Sequence, residues 1–240
     1  MKKIILSTFL ASALFVSCDK TDDKTEDEGN VAADKVYLPK KYITPDYTVD
    51  FTYDASKKLT KYSDSDGYIY SFTYNGNELI SFESENEISK DTYTFTKQGN
   101  VITLQITGEV GEDTFTDTQT LTVDNNGNLL NDGYYSYTYD AKGNVTKMSS
   151  ADEQLIYTYD DKNGMFKNLN LPKWVIVYFL SEQGHIVNNA TSFSYTDEEF
   201  PEDNYSAQIQ YEYNADNYPT KGTMTSSEGG SQIVTIQYVQ

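Results

Sequence analysis

Tyr135-Ser136-Tyr137-Thr138-Tyr139-Asp140-Ala141-Lys142-Gly143-Asn144-Val145 decides the fold. Its tyrosines fall on every second residue, and that alternation is the signature of a half-buried β-strand with an aromatic face and a Ser/Thr face. The run then meets Asp140, whose short side chain bonds its own backbone and opens a turn. Gly143 and Asn144 follow, residue types that accept positive φ. Val145 restarts the apolar pattern, so the segment reads as a strand, a hairpin corner and the start of a returning strand.

The corner recurs along the chain. Tyr53-Asp54-Ala55-Ser56-Lys57-Lys58-Leu59, Phe95-Thr96-Lys97-Gln98-Gly99-Asn100-Val101, Val123-Asp124-Asn125-Asn126-Gly127-Asn128-Leu129, Tyr159-Asp160-Asp161-Lys162-Asn163-Gly164-Met165 and Tyr213-Asn214-Ala215-Asp216-Asn217-Tyr218-Pro219 are variants of it, and Tyr74-Asn75-Gly76-Asn77-Glu78-Leu79 is a shorter one. The strands that feed them alternate likewise, as in Tyr68-Ile69-Tyr70-Ser71-Phe72-Thr73-Tyr74 and in Ile209, Tyr211 and Tyr213 against Gln208, Gln210 and Glu212. Residues 35–240 are therefore expected to form one all-β domain. Its form is a large curved antiparallel sheet or partial barrel of repeated β-hairpins, curved or covered so that its aromatic side is buried.

The recurring Tyr-Thr-Tyr-Asp with a following Gly-Asn resembles the tyrosine-aspartate repeats of Rhs-type toxins and shells. The chain as a whole is similar to a group of bacterial surface lipoproteins described as having a porin-like fold. Tyr157-Thr158-Tyr159-Asp160-Asp161-Lys162-Asn163-Gly164-Met165-Phe166-Lys167-Asn168 and Asn188-Asn189-Ala190-Thr191-Ser192 carry that resemblance best. Where the family often has Asn-Pro-Phe, this chain has Asn163-Gly164-Met165-Phe166. The resemblance implies a curved sheet or partial barrel and supplies no activity and no functional residues.

One segment breaks the alternation. Leu169-Asn170-Leu171-Pro172-Lys173-Trp174-Val175-Ile176-Val177-Tyr178-Phe179-Leu180 holds the only tryptophan. Asn170 as cap and Pro172 in the first turn favour a helix, whereas Val175, Ile176 and Val177 favour a strand. The expectation is a short helical or irregular insert against the mouth or inside of the sheet, with Trp174 as a core anchor in preference to a sugar-stacking ring.

The N-terminus carries a different signal. Lys2-Lys3, an apolar run from Ile4 to Val16 and a small residue, Ser17, precede Cys18, the only cysteine. Residues 1–17 have the layout of a secretory signal, and Phe15-Val16-Ser17-Cys18 resembles a bacterial lipobox, whose thiol is lipidated. A lone unpaired thiol in an oxidising compartment would otherwise be a liability. Residues 18–34 are then a lipidated cysteine and an acidic tether, Asp19 to Glu28 supplying most of the charge. No large apolar group between Asp19 and Asn30 offsets the ordering entropy, and the flexible reach from Asp19 to Asp34 is about 20 Å. The expected location is the bacterial outer membrane, with a domain facing either the periplasm or the cell surface.

Charge narrows the partners. The formal net charge is −19 and every basic residue is lysine, so there is no footprint for nucleic acid and no guanidinium clamp for phosphate. Neutral glycans suit a chain with 22 tyrosines, and Tyr70 and Tyr137 are candidate ligand-binding rings on the aromatic face. Catalytic chemistry finds little foothold. His185 is the only histidine, Cys18 is spent on lipid, and no phosphate loop, zinc spacing or nucleophile elbow occurs. Asp64-Ser65-Asp66-Gly67 reads as a hairpin turn more than as a calcium loop, and Asp197-Glu198-Glu199-Phe200-Pro201-Glu202-Asp203 as a solvated loop. No catalytic residue, metal or cofactor is expected. The expected function is a lipid-anchored binding module, for a neutral glycan or a protein. The alternatives are an assembly lipoprotein partnered with an outer-membrane protein, or a glycoside-processing enzyme built on carboxylate pairs. Replacing Cys18 by alanine is expected to abolish fatty-acid labelling and to release the protein from membranes; labelling that persists in that variant refutes the anchor.

Overall fold

The computed structural model describes residues 35–240 apart from Glu112, Ser181 and Glu182. The expected signal, the expected lipidation site Cys18 and the expected acidic tether lie outside the described residues.

Sixteen strands account for most of the described chain: β1 (Leu38–Ile43), β2 (Thr48–Tyr53), β3 (Leu59–Asp64), β4 (Ile69–Asn75), β5 (Glu78–Glu85), β6 (Ser89–Gln98), β7 (Val101–Val110), β8 (Asp113–Val123), β9 (Leu129–Asn131), β10 (Ser136–Tyr139), β11 (Val145–Ser149), β12 (Glu153–Tyr159), β13 (Ala190–Asp197), β14 (Tyr205–Tyr213), β15 (Pro219–Ser226) and β16 (Ser231–Val239). Each is antiparallel to its sequence neighbours, and β1 also pairs with β16, so the expected curved sheet closes into an up-and-down barrel.

The corners have one bonding pattern. The Asp140 Oδ1 atom accepts the backbone N–H groups of Lys142 and Asn144, both at 2.9 Å. The Asp140 N–H donates to the Asn144 carbonyl at 3.0 Å, and the Gly143 N–H to the Asp140 carbonyl at 3.1 Å. The same bonds form at Asp54, Asp124 and Asn214, and at Asp64 in the β3–β4 turn. The residue three after the acid or amide has positive φ each time, 94° at Gly143 and 62° at Lys57. Burial opposes ionisation of Asp140, but hydrogen bonds from Asn144, Lys142 and Gly143 outweigh it and hold the carboxyl below its usual range. The Gly76-Asn77 and Gly99-Asn100 units differ from expectation: Asn75 pairs with Glu78 and Gln98 with Val101, so both are two-residue hairpin loops.

The Tyr159–Met165 unit also departs from expectation, because a long insert is spliced into its corner. Lys162 N–H reaches Asp160 Oδ1 at 3.0 Å, as in the other corners. The closing residue, however, is Asn189: its N–H donates to Asp160 Oδ1 at 3.1 Å and its carbonyl accepts the Asp160 N–H at 3.1 Å. The Asn189 side-chain amide meets Asp160 Oδ2 at 3.2 Å, the role played by Asn144 on Asp140 and Asn128 on Asp124.

A second regularity concerns the strand pairs joined at the far end of the barrel. Toward the corner end the ladders of all but β7–β8 stop early, and in six of these seven pairs a tyrosine wedges into the opening. Its hydroxyl donates to the carbonyl two residues past the last ladder pair. Among the described residues this occurs six times: Tyr53 to Pro39 at 2.7 Å, Tyr74 to Leu59 at 2.8 Å, Tyr139 to Leu129 at 2.8 Å, Tyr159 to Val145 at 2.6 Å, Tyr211 to Ala190 at 3.0 Å and Tyr238 to Pro219 at 2.8 Å. The last ladder pairs are Lys41–Asp50, Lys61–Ser71, Asn131–Ser136, Lys147–Ile156, Ser192–Gln208 and Lys221–Thr235. In each case the tyrosine lies three residues beyond the pair. A bulge accompanies Tyr53, Tyr74, Tyr139 and Tyr159 where these strands meet their other neighbours.

A barrel of sixteen strands is too wide for wall side chains alone to fill. The insert fills it. Met165, Phe166, Leu169, Leu171 and Leu180 join one buried cluster with Phe51, Leu59, Phe82, Leu104, Leu121 and Val145. The insert's helix α1 (Lys173–Tyr178) buries Trp174, Val175, Ile176 and Val177. Trp174 is the core anchor expected of it, 5.1 Å from Phe95 edge to face. Pro172 is the N-cap residue, without a side-chain bond, so Asn170 does not cap the helix as expected. The outward face of the wall is largely polar: Asp50, Thr52, Thr73, Gln105, Thr107, Gln208, Gln210 and Glu212 are exposed, with Ile80, Val101, Ile156 and Ile233 as exposed aliphatic exceptions. Charged groups such as Asp50 and Glu212 keep their hydration at these outward positions, whereas the inward positions pack on the apolar cluster. No helix of the described residues is long and apolar enough to cross a membrane.

Two outcomes are expected from unfolding measurements. Asn189→Ala should lower stability by about 2 kcal/mol or more, since it opens the spliced corner and leaves buried donors and acceptors unmet. Tyr159→Phe should cost about 1 kcal/mol for one hydroxyl, while exposed Lys142→Ala stays within about 0.5 kcal/mol; equal losses for all three contradict the bonding scheme. His185 lies in the insert, half-buried as a residue but with its Nδ1 atom shielded from water, and its ring is 6.2 Å from Tyr211. Burial pushes its pKa down from 6.5 to about 4, against opposing pulls from Asp160 and Asn189. The folded state thus resists protonation. The stability this contributes is fully present above the unfolded value of 6.5 and is lost as pH falls toward 4. Relative to His185→Gln, the wild type should lose up to about 3 kcal/mol across that window; parallel pH profiles of the two proteins contradict a buried neutral imidazole.

Candidate ligand-binding groove

The widest mismatch in pairing along the described wall falls at β8. β8 pairs with β7 from Asp113 to Thr122, but with β9 only at Thr122 and Val123. β9 and β10 in turn share one pair, Asn131 with Ser136. Asp113–Leu121 consequently has a ladder partner on one side only. Beside this edge lies a groove of about 570 Å³ lined by Gln119, Thr120, Asp132, Gly133, Tyr134, Tyr135 and Tyr178.

Local chemistry fixes the groove's floor. In the β9–β10 turn, Asp132 Oδ1 accepts the N–H groups of Tyr134 at 2.9 Å and Tyr135 at 2.6 Å, which presents both rings on one side of the turn. Asp132 Oδ2 accepts the Tyr137 hydroxyl at 2.7 Å. Tyr135 donates to the Glu153 carboxylate, Tyr195 donates to the same group at 2.9 Å, and Tyr178 donates to Gln119 Oε1. Burial, then the bond to Glu153, raises the pKa of Tyr135; the bond to Glu153, then burial, raises that of Tyr195. Both hydroxyls are thereby kept as donors. Tyr134 differs from the rest. It is 65% exposed, stands edge to face with Tyr135 at 4.6 Å and offers its ring to solvent. The groove thus combines an open aromatic ring with carboxylate, amide and phenol groups, and no lysine lines it.

The residues singled out in the sequence are scattered by the fold. Tyr137 is 6% exposed and supports the groove from beneath through Asp132. Tyr70 is half-buried in the barrel lining, edge to face with Tyr62 at 5.6 Å, where burial raises its pKa, and it does not line the groove. Asp64 is a hairpin corner, as read. Asp197 is buried, its carboxylate accepting the N–H groups of Glu199 at 2.8 Å and Phe200 at 2.9 Å, so that end of the acidic loop is structured, contrary to the solvated reading. Among the described residues no group of three or more His, Cys, Asp or Glu is arranged to hold a metal ion. Tyr134 was missed because it lies outside the alternating strands; its one signal is its place after Asp132-Gly133 in a turn.

No family model matches the chain. In sequence it is similar to the tRNA3(Ser)-specific nuclease WapA of Bacillus spizizenii, 26% identical over 182 residues, a match that takes in 74% of this chain and 6% of that protein. The chain therefore spans a small fraction of the curated relative's length. Among solved structures it is similar to a porin-like protein from Bacteroides vulgatus, with a TM-score of 0.47 at 10% identity over 85% of this chain and 99% of the other. A porin-like protein from Bacteroides uniformis gives a TM-score of 0.42 at 13% identity, over 84% of this chain and 96% of the other.

Proposed function

We propose that the chain is a non-catalytic binding module, held at the bacterial outer membrane by a lipid on Cys18, whose groove between β8 and the β9–β10 turn takes a neutral glycan. The observation that carries this reading is Tyr134, an exposed ring set beside Asp132, Gln119, Tyr135 and Tyr178. Sugars have apolar faces that stack on such rings and hydroxyls that donate to carboxylate and amide oxygens. Asp132 and Glu153 are already oriented by hydrogen bonds, which lowers the ordering cost of binding. The net charge of −19 disfavours phosphate-bearing polymers, and the nuclease activity in the name of the curated relative belongs to a protein of which this chain covers 6%.

The assembly reading rests on a different observation. Most barrel-lining tyrosines serve structure, as wedges or buried rings, so the abundance of tyrosine alone does not argue for a glycan. The two readings separate on Tyr134. A neutral-glycan array followed by calorimetry should find a ligand for the full chain, and Tyr134→Ala should weaken it by about 1–3 kcal/mol with an unchanged melting temperature. Tyr137→Ala should instead cost about 3 kcal/mol of stability. Array hits that ignore Tyr134, or no hit among neutral glycans, would overturn the glycan reading.

A further inference from the structure

The wedge pattern has a seventh position, and there the tyrosine is missing. The β5–β6 ladder ends at Ser81–Thr94. Three residues beyond Thr94 comes Lys97, and two before Ser81 comes Leu79, the places held by Tyr159 and Val145 in the β11–β12 pair. A lysine has neither the ring to fill the opening nor the phenol. At this point the barrel has a recess of about 480 Å³, within the range of small-molecule sites. Leu79, Phe95, Ile102, Leu171 and Trp174 give it apolar walls, and Lys97 stands in its lining. Neighbouring Tyr74 closes one side, its own hydroxyl engaged with Leu59.

We propose that this recess binds a small phenolic molecule whose ring and hydroxyl replace the absent wedge. The chain itself specifies the ligand chemistry. Six times over, a hydroxyphenyl group between parted strands, donating to the carbonyl at this ladder position, is what the fold accepts. At the seventh, the ring would lie against Phe95 and Trp174, whose edge-to-face contact at 5.1 Å leaves aromatic surface at the recess. The hydroxyl would donate to the Leu79 carbonyl. Lys97, exposed at the rim, leaves the entrance open to exchange. This site is distinct from the groove at Tyr134 and does not depend on the glycan reading: the two share no lining residue.

The test uses p-cresol, which is the tyrosine side chain as a free molecule, with toluene as its analogue without the hydroxyl. Titration of the full chain, followed by nuclear magnetic resonance of the Trp174 indole, should show saturable binding of p-cresol and at least about fivefold weaker binding of toluene, the worth of about one hydrogen bond. Lys97→Tyr should supply the wedge from within, raise the melting temperature and abolish p-cresol binding. Lys97→Ala should keep the recess open and retain binding. Equal affinity for p-cresol and toluene would overturn the proposal, as would undiminished p-cresol binding in a folded Lys97→Tyr variant. The comparison of the two ligands is made on the wild-type chain, so it decides the matter even where a variant fails to fold. Titration of the Tyr134→Ala variant should leave p-cresol affinity unchanged, which separates this site from the groove.

Discussion

The tyrosine hydroxyl that reaches a backbone carbonyl across a parted strand pair is the constraint on which this barrel depends. A carbonyl that leaves its ladder beside a buried apolar core would cost about 1–3 kcal/mol if unmet. Each wedge meets that demand and at the same time fills the opening with a ring. Phenylalanine would fill without bonding, and serine would bond without filling. Tyrosine does both, which accounts for its abundance better than any surface role. The wedges also hold the strands apart at the end where the insert enters, so the wall opens where its contents must pass.

The insert follows from the same geometry. Sixteen strands enclose a volume that short side chains leave empty, and an empty apolar barrel would be unstable or would fill with water. Splicing some two dozen residues into the Asp160 corner brings Phe166, Trp174 and Ile176 inside without breaking the strand order. Asn189 makes the splice tolerable, since it restores the bonds that an uninterrupted corner makes. With its interior packed and its exterior largely polar, the barrel is a filled scaffold, whose usable surfaces are its rims and interruptions.

Much of this was legible in the sequence because it is local. Period-two tyrosines gave the strands, and Asp with a later Gly or Asn gave the corners, both set by contacts within a few residues. Closure was not legible, because the pairing of β1 with β16 joins residues such as Leu38 and Val239 at opposite ends of the domain. Nor was the splice, because Asp160-Asp161-Lys162-Asn163-Gly164 looks locally like a complete turn and Asn189 comes 29 residues later. Tyr70 and Tyr137 could not be sorted from Tyr134 by alternation. A period assigns a residue to a face, but whether that face is covered depends on strands and inserts far away in the chain.

Repetition also explains where binding belongs. A repeat satisfied everywhere leaves a smooth wall with each donor and ring engaged, and such a wall has nothing to offer a ligand. Opportunity arises at the defects. One is the short β9–β10 hairpin beside the long β8, which leaves an edge and exposes Tyr134. The other is Lys97 in a position that otherwise carries tyrosine. In a fold built from copies, a departure from the copy that leaves space beside intact aromatic walls is a more specific pointer to a site than the aromatic residues themselves. At Lys97 the unbroken copies also state the chemistry of the group that would fit, so the scaffold describes its ligand through what it does with its own side chains.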